Sequence, residues 1–327
     1  MDMQKKNPKI SIIIPAYNVE DYIGRCLDSC IEQTLYDIEI ICVDDESQDA
    51  TMRIIDAYAK RDSRIVAIHK KKGGVSAARN EGIKMATGSW LIFLDSDDIL
   101  CKETCEEIWI QTLCNECELI VHGAEIVSGD VKPEYWVTKA VSTRNAFYRD
   151  FNFDVINENG ATPFLWLHAY SRKLIDRAGI RFNEKISLGE DIVFQMMIIP
   201  CAKGILFISR KLYFYTYNRN GSLMEKSTAD YDLKIERHID NLTIIADYWE
   251  KEKLLDRYGN QFLEWVLAFL MPDIETRKLK KQEEHAKRIE ELIKKCNLNK
   301  YEKSINYVAA RQYKKLMAIC AKRSSSI

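Results

Sequence analysis

An α/β fold with a parallel central sheet, followed by a C-terminal helical extension, is what three features of this 327-residue sequence predict. Short β-branched runs alternate with amphipathic stretches through the first hundred residues. The runs are apolar throughout, and from Asp230 onward the pattern is almost wholly helical. Alternating strands and helices mark βαβ units. Strands without a polar face are those covered by helices on both sides.

In order, Ile10 to Ile14 reads as a strand, Val19 to Gln33 as a helix, Ile38 to Val43 as a strand and Thr51 to Arg61 as a helix. Ile65 to Ile68, a helix from about Val75 to Ala86, and Trp90 to Leu94 continue the series. Glu103 to Cys117 has helical spacing, so Cys101, Cys105, Cys114 and Cys117 are read as small buried hydrophobes in preference to four zinc thiolates. A strand-like run spans Ile205 to Tyr215. The tail offers helices at Leu233 to Trp249, Gln261 to Leu270, Leu279 to Lys295 and Tyr301 to Ala321, with Pro272 interrupting between the second and third. A boundary near Ser222 to Asp230 separates one domain, residues 1–225, from an extension, residues 226–327.

The 48 basic and 49 acidic residues nearly cancel, giving a net charge of -1, so no nucleic-acid partner is expected. The tail departs from that balance: Arg277 to Arg323 holds 15 Lys or Arg and 5 Glu. Its apolar positions Ile289, Leu292, Ile293, Leu316 and Ile319 read either as a face for an anionic membrane or lipid-linked acceptor, or as part of an ordinary solvated helix. A subunit contact in a homo-oligomer is the third reading. The longest apolar stretch, Phe262 to Met271, contains Glu264 and falls far short of the roughly 20 residues of a membrane span. The polar first nine residues lack the apolar run of an export signal, so a cytoplasmic address, peripheral to the membrane's inner face where the tail rests on it, is expected. The ten cysteines are then reduced and mostly buried.

Ligands of open parallel sheets bind beyond the carboxyl ends of the strands. Those positions hold Pro15-Ala16-Tyr17-Asn18, Asp44-Asp45-Glu46-Ser47 and Asp95-Ser96-Asp97-Asp98. Up to five carboxylates converge there, a crowding that calls for a cation. Asp95 and Asp97, at i and i+2, can share a hard divalent ion with phosphate oxygens. Asp44 and Asp45 can accept from a ribose hydroxyl or a base imide, while Ser47 or Asp49 also suits a plain helix cap. Gly73-Gly74 before a helix carrying Arg79 suits close approach to a pyrophosphate. Neither a Gly-X-Gly-X-X-Gly motif nor a Gly-Lys-Ser/Thr loop is present, which disfavours nicotinamide dehydrogenases and common nucleotide triphosphatases.

Ile-Pro-Ala-Tyr-Asn, Val-Asp-Asp-Glu-Ser-Gln-Asp-Ala-Thr, Gly-Val-Ser-Ala-Ala-Arg-Asn-Glu-Gly and Phe-Leu-Asp-Ser-Asp-Asp, in this order and spacing, resemble the family 2 glycosyltransferases. The resemblance covers Ile10 to about Ser222. It implies a GT-A fold, with a mixed, mainly parallel central sheet, in residues 1–225 and metal-dependent, inverting transfer of a hexose or N-acetylhexosamine. The donor would be a UDP-sugar, and the acceptor a hydroxyl of a glycan or lipid-linked molecule in surface-polysaccharide synthesis. It assigns Pro15, Ala16, Tyr17 and Asp44 to the base and ribose, with Asn18 and Asp45 beside them. Asp95 falls at the ribose, with Ser96 next to it, and Asp97 on Mn²⁺ or Mg²⁺. Arg79 and Asn80 fall at the diphosphate end.

Glu190 and Asp191 match the family's acidic pair, making Asp191 the base that takes the acceptor's proton; alone, the pair reads as acids at a helix amino terminus. Departures are His168 where lysine is usual and Lys70 to Lys72 where an amide side chain often holds the base. The lysines read as a solvated basic turn. Tyr215, Arg219 and Ser222 resemble a loop near the diphosphate. A sugar-nucleotide pyrophosphorylase is disfavoured by Pro15-Ala16-Tyr17-Asn18, and a non-catalytic nucleotide-sugar-binding subunit by Asp95, Asp97 and Asp191.

Overall fold

The computed structural model describes residues 8–129, 131–157, 164–217 and 230–321. The chain divides into two compact units, Met1–Asn218 and Arg219–Ile327. In the first, β1 (Ile10–Ala16), α1 (Ile23–Ile31), β2 (Ile38–Asp44), α2 (Thr51–Ala59), β3 (Ile65–His69), α3 (Gly74–Met85) and β4 (Trp90–Phe93) follow one another as βαβ units. Their strands pair in parallel in the order β3-β2-β1-β4, with Ile14 opposite Cys42 and Ile13 opposite Phe93. Every residue of β1 is buried, as its uninterrupted apolar run requires. Helix α3 lies close on this sheet: a Cβ on Gly82 would stand 2.3 Å from Ile13 Cγ2, so only glycine permits the approach.

The remaining elements are β5 (Ile99–Leu100), α4 (Thr104–Cys114), β6 (Leu119–Val127), α5 (Tyr135–Ala140), β7 (Ala146–Tyr148), α6 (Asp154–Asn157), β8 (His168–Ser171), α7 (Arg172–Ala178), α8 (Glu190–Ile198) and β9 (Ile205–Thr216). β8 runs antiparallel between β4 and β6, while β6 and β9 are parallel, so one mixed sheet continues past β4.

Three helices of this unit are shorter than their sequence patterns, α2 by two residues at its end. α1 begins at Ile23 because the amides before it bond elsewhere: Val19 N–H donates to Thr51 Oγ1 (2.8 Å) and Glu20 N–H to Asp49 Oδ2 (3.1 Å). α4 stops at Cys114, which is exposed. All ten cysteines carry free thiols; Cys26, Cys30, Cys42, Cys105 and Cys296 are buried, half of the set instead of most of it.

The second unit packs α9 (Tyr231–Lys251), α10 (Leu254–Thr276), α11 (Gln282–Lys295) and α12 (Tyr307–Ala321) around Trp249, Phe262, Leu267 and Ile293. Pro272 does not separate helices as expected. It sits in the last turn of α10, where the missing N–H frees only the Ala268 carbonyl and buried Ile274 holds the final turn down. α11 starts three residues late because the Lys280 and Lys281 amides bond Asp232 (3.0 Å each). α12 starts at Tyr307, capped when Asn306 Oδ1 accepts from Ala309 N–H.

Four of the five apolar tail positions are also corrected: Ile289, Leu292, Ile293 and Leu316 are at most 4% exposed and form this unit's core, so they are not a face for lipid, while Ile319 is half-buried. Three of the fifteen basic residues, spaced seven apart, meet acids of α9. Lys281 pairs with Glu236 (2.7 Å), Arg288 with Asp240 (2.6 Å) and Lys295 with Asp247. Among the described residues no helix is long and apolar enough to cross a membrane.

Candidate active site

The site lies where β1, β2 and β4 end. Pro15 and Ala16 close β1 opposite Val43 and Asp44, and the Asp45 amide donates to Ala16 O (2.9 Å). Asn18, at φ 50°, ties the first loop to the second: its N–H donates to Ser47 Oγ (3.0 Å) and its Oδ1 accepts from Gln48 N–H (2.8 Å). Tyr17 between them is 39% exposed. Asp44 is 1% exposed. Its Oδ2 accepts from Ser47 N–H (3.3 Å) and stands 3.8 Å from His69 Nδ1, but its buried Oδ1 has no partner. A buried carboxylate oxygen without a donor is costly, which makes it a position for a ligand N–H or O–H.

Asp45 corrects two expectations. Its carboxylate accepts from Lys70 Nζ (2.6 Å), Gly73 N–H (2.9 Å) and Gly74 N–H (2.7 Å), capping α3. Gly74 adopts φ +86°, which glycine allows without strain. The amides that suited a pyrophosphate are therefore already satisfied by a carboxylate, the charge a helix amino terminus favours. The lysine turn is not simply solvated either. Lys70 holds Asp45, and Lys72 donates to Tyr17 Oη (2.7 Å), its ammonium 4.2 Å from the ring centroid.

The acidic turn after β4 is fixed from α1 and β9. Arg25 Nη2 and Thr216 Oγ1 both donate to Asp97 O (2.6 and 2.9 Å). Asp98 is buried; it accepts from Tyr213 Oη (2.7 Å) and Thr216 N–H (2.6 Å), while Tyr213 Oη accepts from Asp95 N–H (3.2 Å). Burial and the neighbouring Asp97 and Asp95 charges push the Asp98 carboxyl well above the carboxylate range. Five converging carboxylates thus become fewer, since Asp45 and Asp98 hold loops. Ser96 is buried within the turn. Arg25, Tyr213 and Thr216 carried no motif; the Tyr-rich end of β9 was the only trace of the last two in the sequence.

Arg79, 6% exposed, bridges the two sides of the site. Its Nη1 donates to Glu190 Oε1 (2.8 Å) and its Nη2 to Asp95 Oδ1 (3.2 Å), while its buried Nε is unpartnered. Gly189, at φ 79°, turns the chain so that α8 opens with Glu190 and Asp191. Asp191 Oδ1 accepts from Ile192 N–H (2.8 Å). Burial and the Glu190 charge raise the Asp191 carboxyl to about 7, against the opposing pull of Arg79. Beneath them Phe182 stacks on Phe194 while Phe93 on β4 meets both edge-to-face, which holds α8 to the sheet.

Asn80 does not point its amide at a diphosphate. Its Nδ2 donates to Phe182 O and Glu184 Oε1, and its Oδ1 accepts from Phe182 N–H, all at 2.9 Å. It orders the loop leading to α8. His168 is fully buried, donates from Nδ1 to Phe164 O (3.0 Å) and stacks on Tyr170, so it belongs to the core. Trp166 stacks between Tyr213 and Phe164 and against Tyr215. Arg219 and Ser222 lie outside the described residues.

The sequence profile described as "Glycosyl transferase family 2" matches residues 11–179, from β1 to the end of α7. The chain belongs to glycosyl transferase family 2. This glycosyltransferase is 32% identical over 255 residues to "Uncharacterized glycosyltransferase EpsJ" of Bacillus subtilis (strain 168), covering 77% of this chain and 71% of EpsJ. It is also 32% identical to "Poly(ribitol-phosphate) beta-glucosyltransferase" of Bacillus spizizenii over 66% of its own length, but spans only 33% of that relative. The crystal structure of S. aureus TarS 1-349 in complex with UDP has the same GT-A fold: TM-score 0.74 at 21% identity, over 95% of this chain and 88% of that one.

Proposed function

We propose that this glycosyltransferase moves a hexose or N-acetylhexosamine from a UDP-sugar, with inversion, to a hydroxyl of a glycan or lipid-linked acceptor in surface-polysaccharide synthesis. The observation that carries the reading is the Arg79 bridge, which sets the acid pair of α8 against Asp95 of the donor edge. In the proposed reaction Asp44 Oδ1 accepts the uracil imide N–H and Tyr17 offers a face to the base. Asp95 receives a ribose hydroxyl. Asp191 takes the acceptor's proton as its oxygen attacks the anomeric carbon opposite the departing diphosphate, and a carboxylate whose affinity for protons lies near neutral pH suits that work. Glu190, held by Arg79, maintains the negative field that keeps Asp191 basic.

Among the described residues no group of three or more His, Cys, Asp or Glu side chains could hold a metal by itself. Asp95 and Asp97 nevertheless fit Mn²⁺ or Mg²⁺, because such ions take one or two carboxylates and complete their shell with substrate phosphates and water. Bound there, the ion would neutralise charge on the leaving diphosphate. Residues 1–225 are assigned to catalysis and residues 226–327 to acceptor or subunit contact. Ten free thiols favour a reducing, cytoplasmic setting.

Nucleotide release from UDP-, GDP-, CDP- and dTDP-sugars, with Mn²⁺ or with EDTA, tests the proposal. UDP release that needs metal and is lost in Asp97→Ala and Asp191→Asn is the expected result. Full transfer by Asp191→Asn would remove Asp191 from the role of base.

A further inference from the structure

A row of stacked aromatic rings leads from the acidic turn to the surface. It begins at Tyr213, whose hydroxyl is tied to Asp98 and to the Asp95 amide. Trp166 stacks on Tyr213 with centroids 4.3 Å and planes 15° apart, Phe164 on Trp166 at 4.8 Å and 20°, and Trp136 of α5 on Phe164 at 5.9 Å and 20°. Tyr215 flanks both Trp166 and Phe164. Burial and the charges of Asp98, Asp95 and Asp97 push the Tyr215 hydroxyl up, so this flank of the row feels the acidic turn directly. Tyr213, Trp166 and Phe164 are buried. The outer end is open: Trp136 is 43% exposed although Phe164 covers one of its faces, which leaves the other face to solvent. Its indole N–H donates to the Glu134 carboxylate, so the open ring is also held in one orientation.

We propose that this row is an acceptor subsite in which the open face of Trp136 stacks on an uncharged pyranose ring of the acceptor glycan. The inference rests on the transferase reading above and names the acceptor's chemical class. A pyranose carries C–H bonds over its faces and hydroxyls around its rim. The aromatic face is the negative part of the ring's quadrupole, so it attracts the polarised C–H bonds while the hydroxyls stay in water. A large apolar surface left open and fixed beside a site marks a place for a ligand. Sheet order supports an acceptor there. The base belongs to the ends of β2 and β1, the acidic turn follows β4, and the row starts from β9 in the half of the sheet beyond β4. A glycan on the row therefore approaches the acidic turn from the side away from the base. Charge narrows the choice further. The side chain bonded to Trp136 is a carboxylate, which disfavours a polyol phosphate and leaves a neutral sugar unaffected.

Saturation-transfer NMR on the full chain with UDP and Mn²⁺ tests the proposal, with cellobiose, lactose and diacetylchitobiose as neutral probes and ribitol phosphate as the anionic one. At least one disaccharide should receive saturation at its ring C–H protons. Trp136→Ala should weaken that binding about tenfold, the worth of one aromatic stacking partner, and Trp136→Phe, which keeps a ring face, should recover most of it. UDP affinity, measured by calorimetry, should change by less than twofold in both variants. No saturation of any disaccharide, or equal binding in the wild type and Trp136→Ala, would overturn the inference; so would a Trp136-dependent signal from ribitol phosphate alone. A parallel loss of UDP affinity in Trp136→Ala would mean that the ring only props the acidic turn through Tyr213, and would overturn it as well. A wild type that binds no UDP would instead defeat the donor reading and the subsite with it, whereas UDP binding without Trp136-dependent disaccharide binding defeats the subsite alone.

Discussion

Arg79 on α3 donates to Glu190 on α8 across 2.8 Å, joining residues 111 apart in the chain inside a site where the arginine is almost wholly buried. A second arm of the same guanidinium reaches Asp95. One side chain therefore fixes the spacing between the donor edge and the acid pair.

Removing Arg79 leaves two carboxylates close together without their cation, and breaking a buried pair from one side costs about 3–5 kcal/mol. Arg79→Met should lower unfolding stability by that order in a urea titration and abolish transfer. Arg79→Lys keeps the charge but cannot fork to both partners, so it should recover much of the stability and little of the activity. Equal activity in wild type and Arg79→Lys would show that the bridge does not set the spacing.

The pH dependence follows from Asp191. Its carboxyl is raised to about 7 in the fold, so the basic form, and with it the rate, should increase as pH rises through that value. Stability runs the other way. A carboxyl whose folded value lies above its unfolded one favours the fold at low pH, and that contribution is lost as pH climbs from about 4 through about 7. Asp191→Asn should therefore be inactive yet more stable than the wild type at pH 8, with the gain shrinking toward pH 4. Thermal unfolding at a series of pH values would reveal a constant difference if the reasoning is wrong.

Tyr213 is expected to matter although no motif marks it. Its hydroxyl donates to Asp98 and accepts from the Asp95 amide, both buried or half-buried. Tyr213→Phe should cost about 1–3 kcal/mol by stranding those groups, and it should raise the Mn²⁺ concentration needed for half-maximal nucleotide release by loosening the turn that carries Asp97. A variant with wild-type metal dependence would detach β9 from the site's function.

Asp45 is the fourth case. Asp45→Ala removes the acceptor for Lys70 and for two amides at the start of α3. A loss of about 1–3 kcal/mol is expected, together with faster amide hydrogen exchange at Gly74. Unchanged exchange would mean that another group caps the helix.

Much of this molecule was legible in its sequence. Uninterrupted apolar runs such as Ile12 to Ile14 declared interior strands, and turn segments beyond them located Tyr17, Asp44, Asp95 and Asp97 at one edge, because both signals are local and need only a few neighbouring residues. The tertiary structure alone decided which polar group meets which. Asp45 turned out to cap α3, Asn80 to order the loop before α8, Asp98 to fasten β9, and the basic residues of α11 to pair with α9. Each of these joins atoms far apart in sequence. A hydrogen bond depends on distances of a few tenths of an ångström between such atoms, and only the packed sheet and helices set those distances.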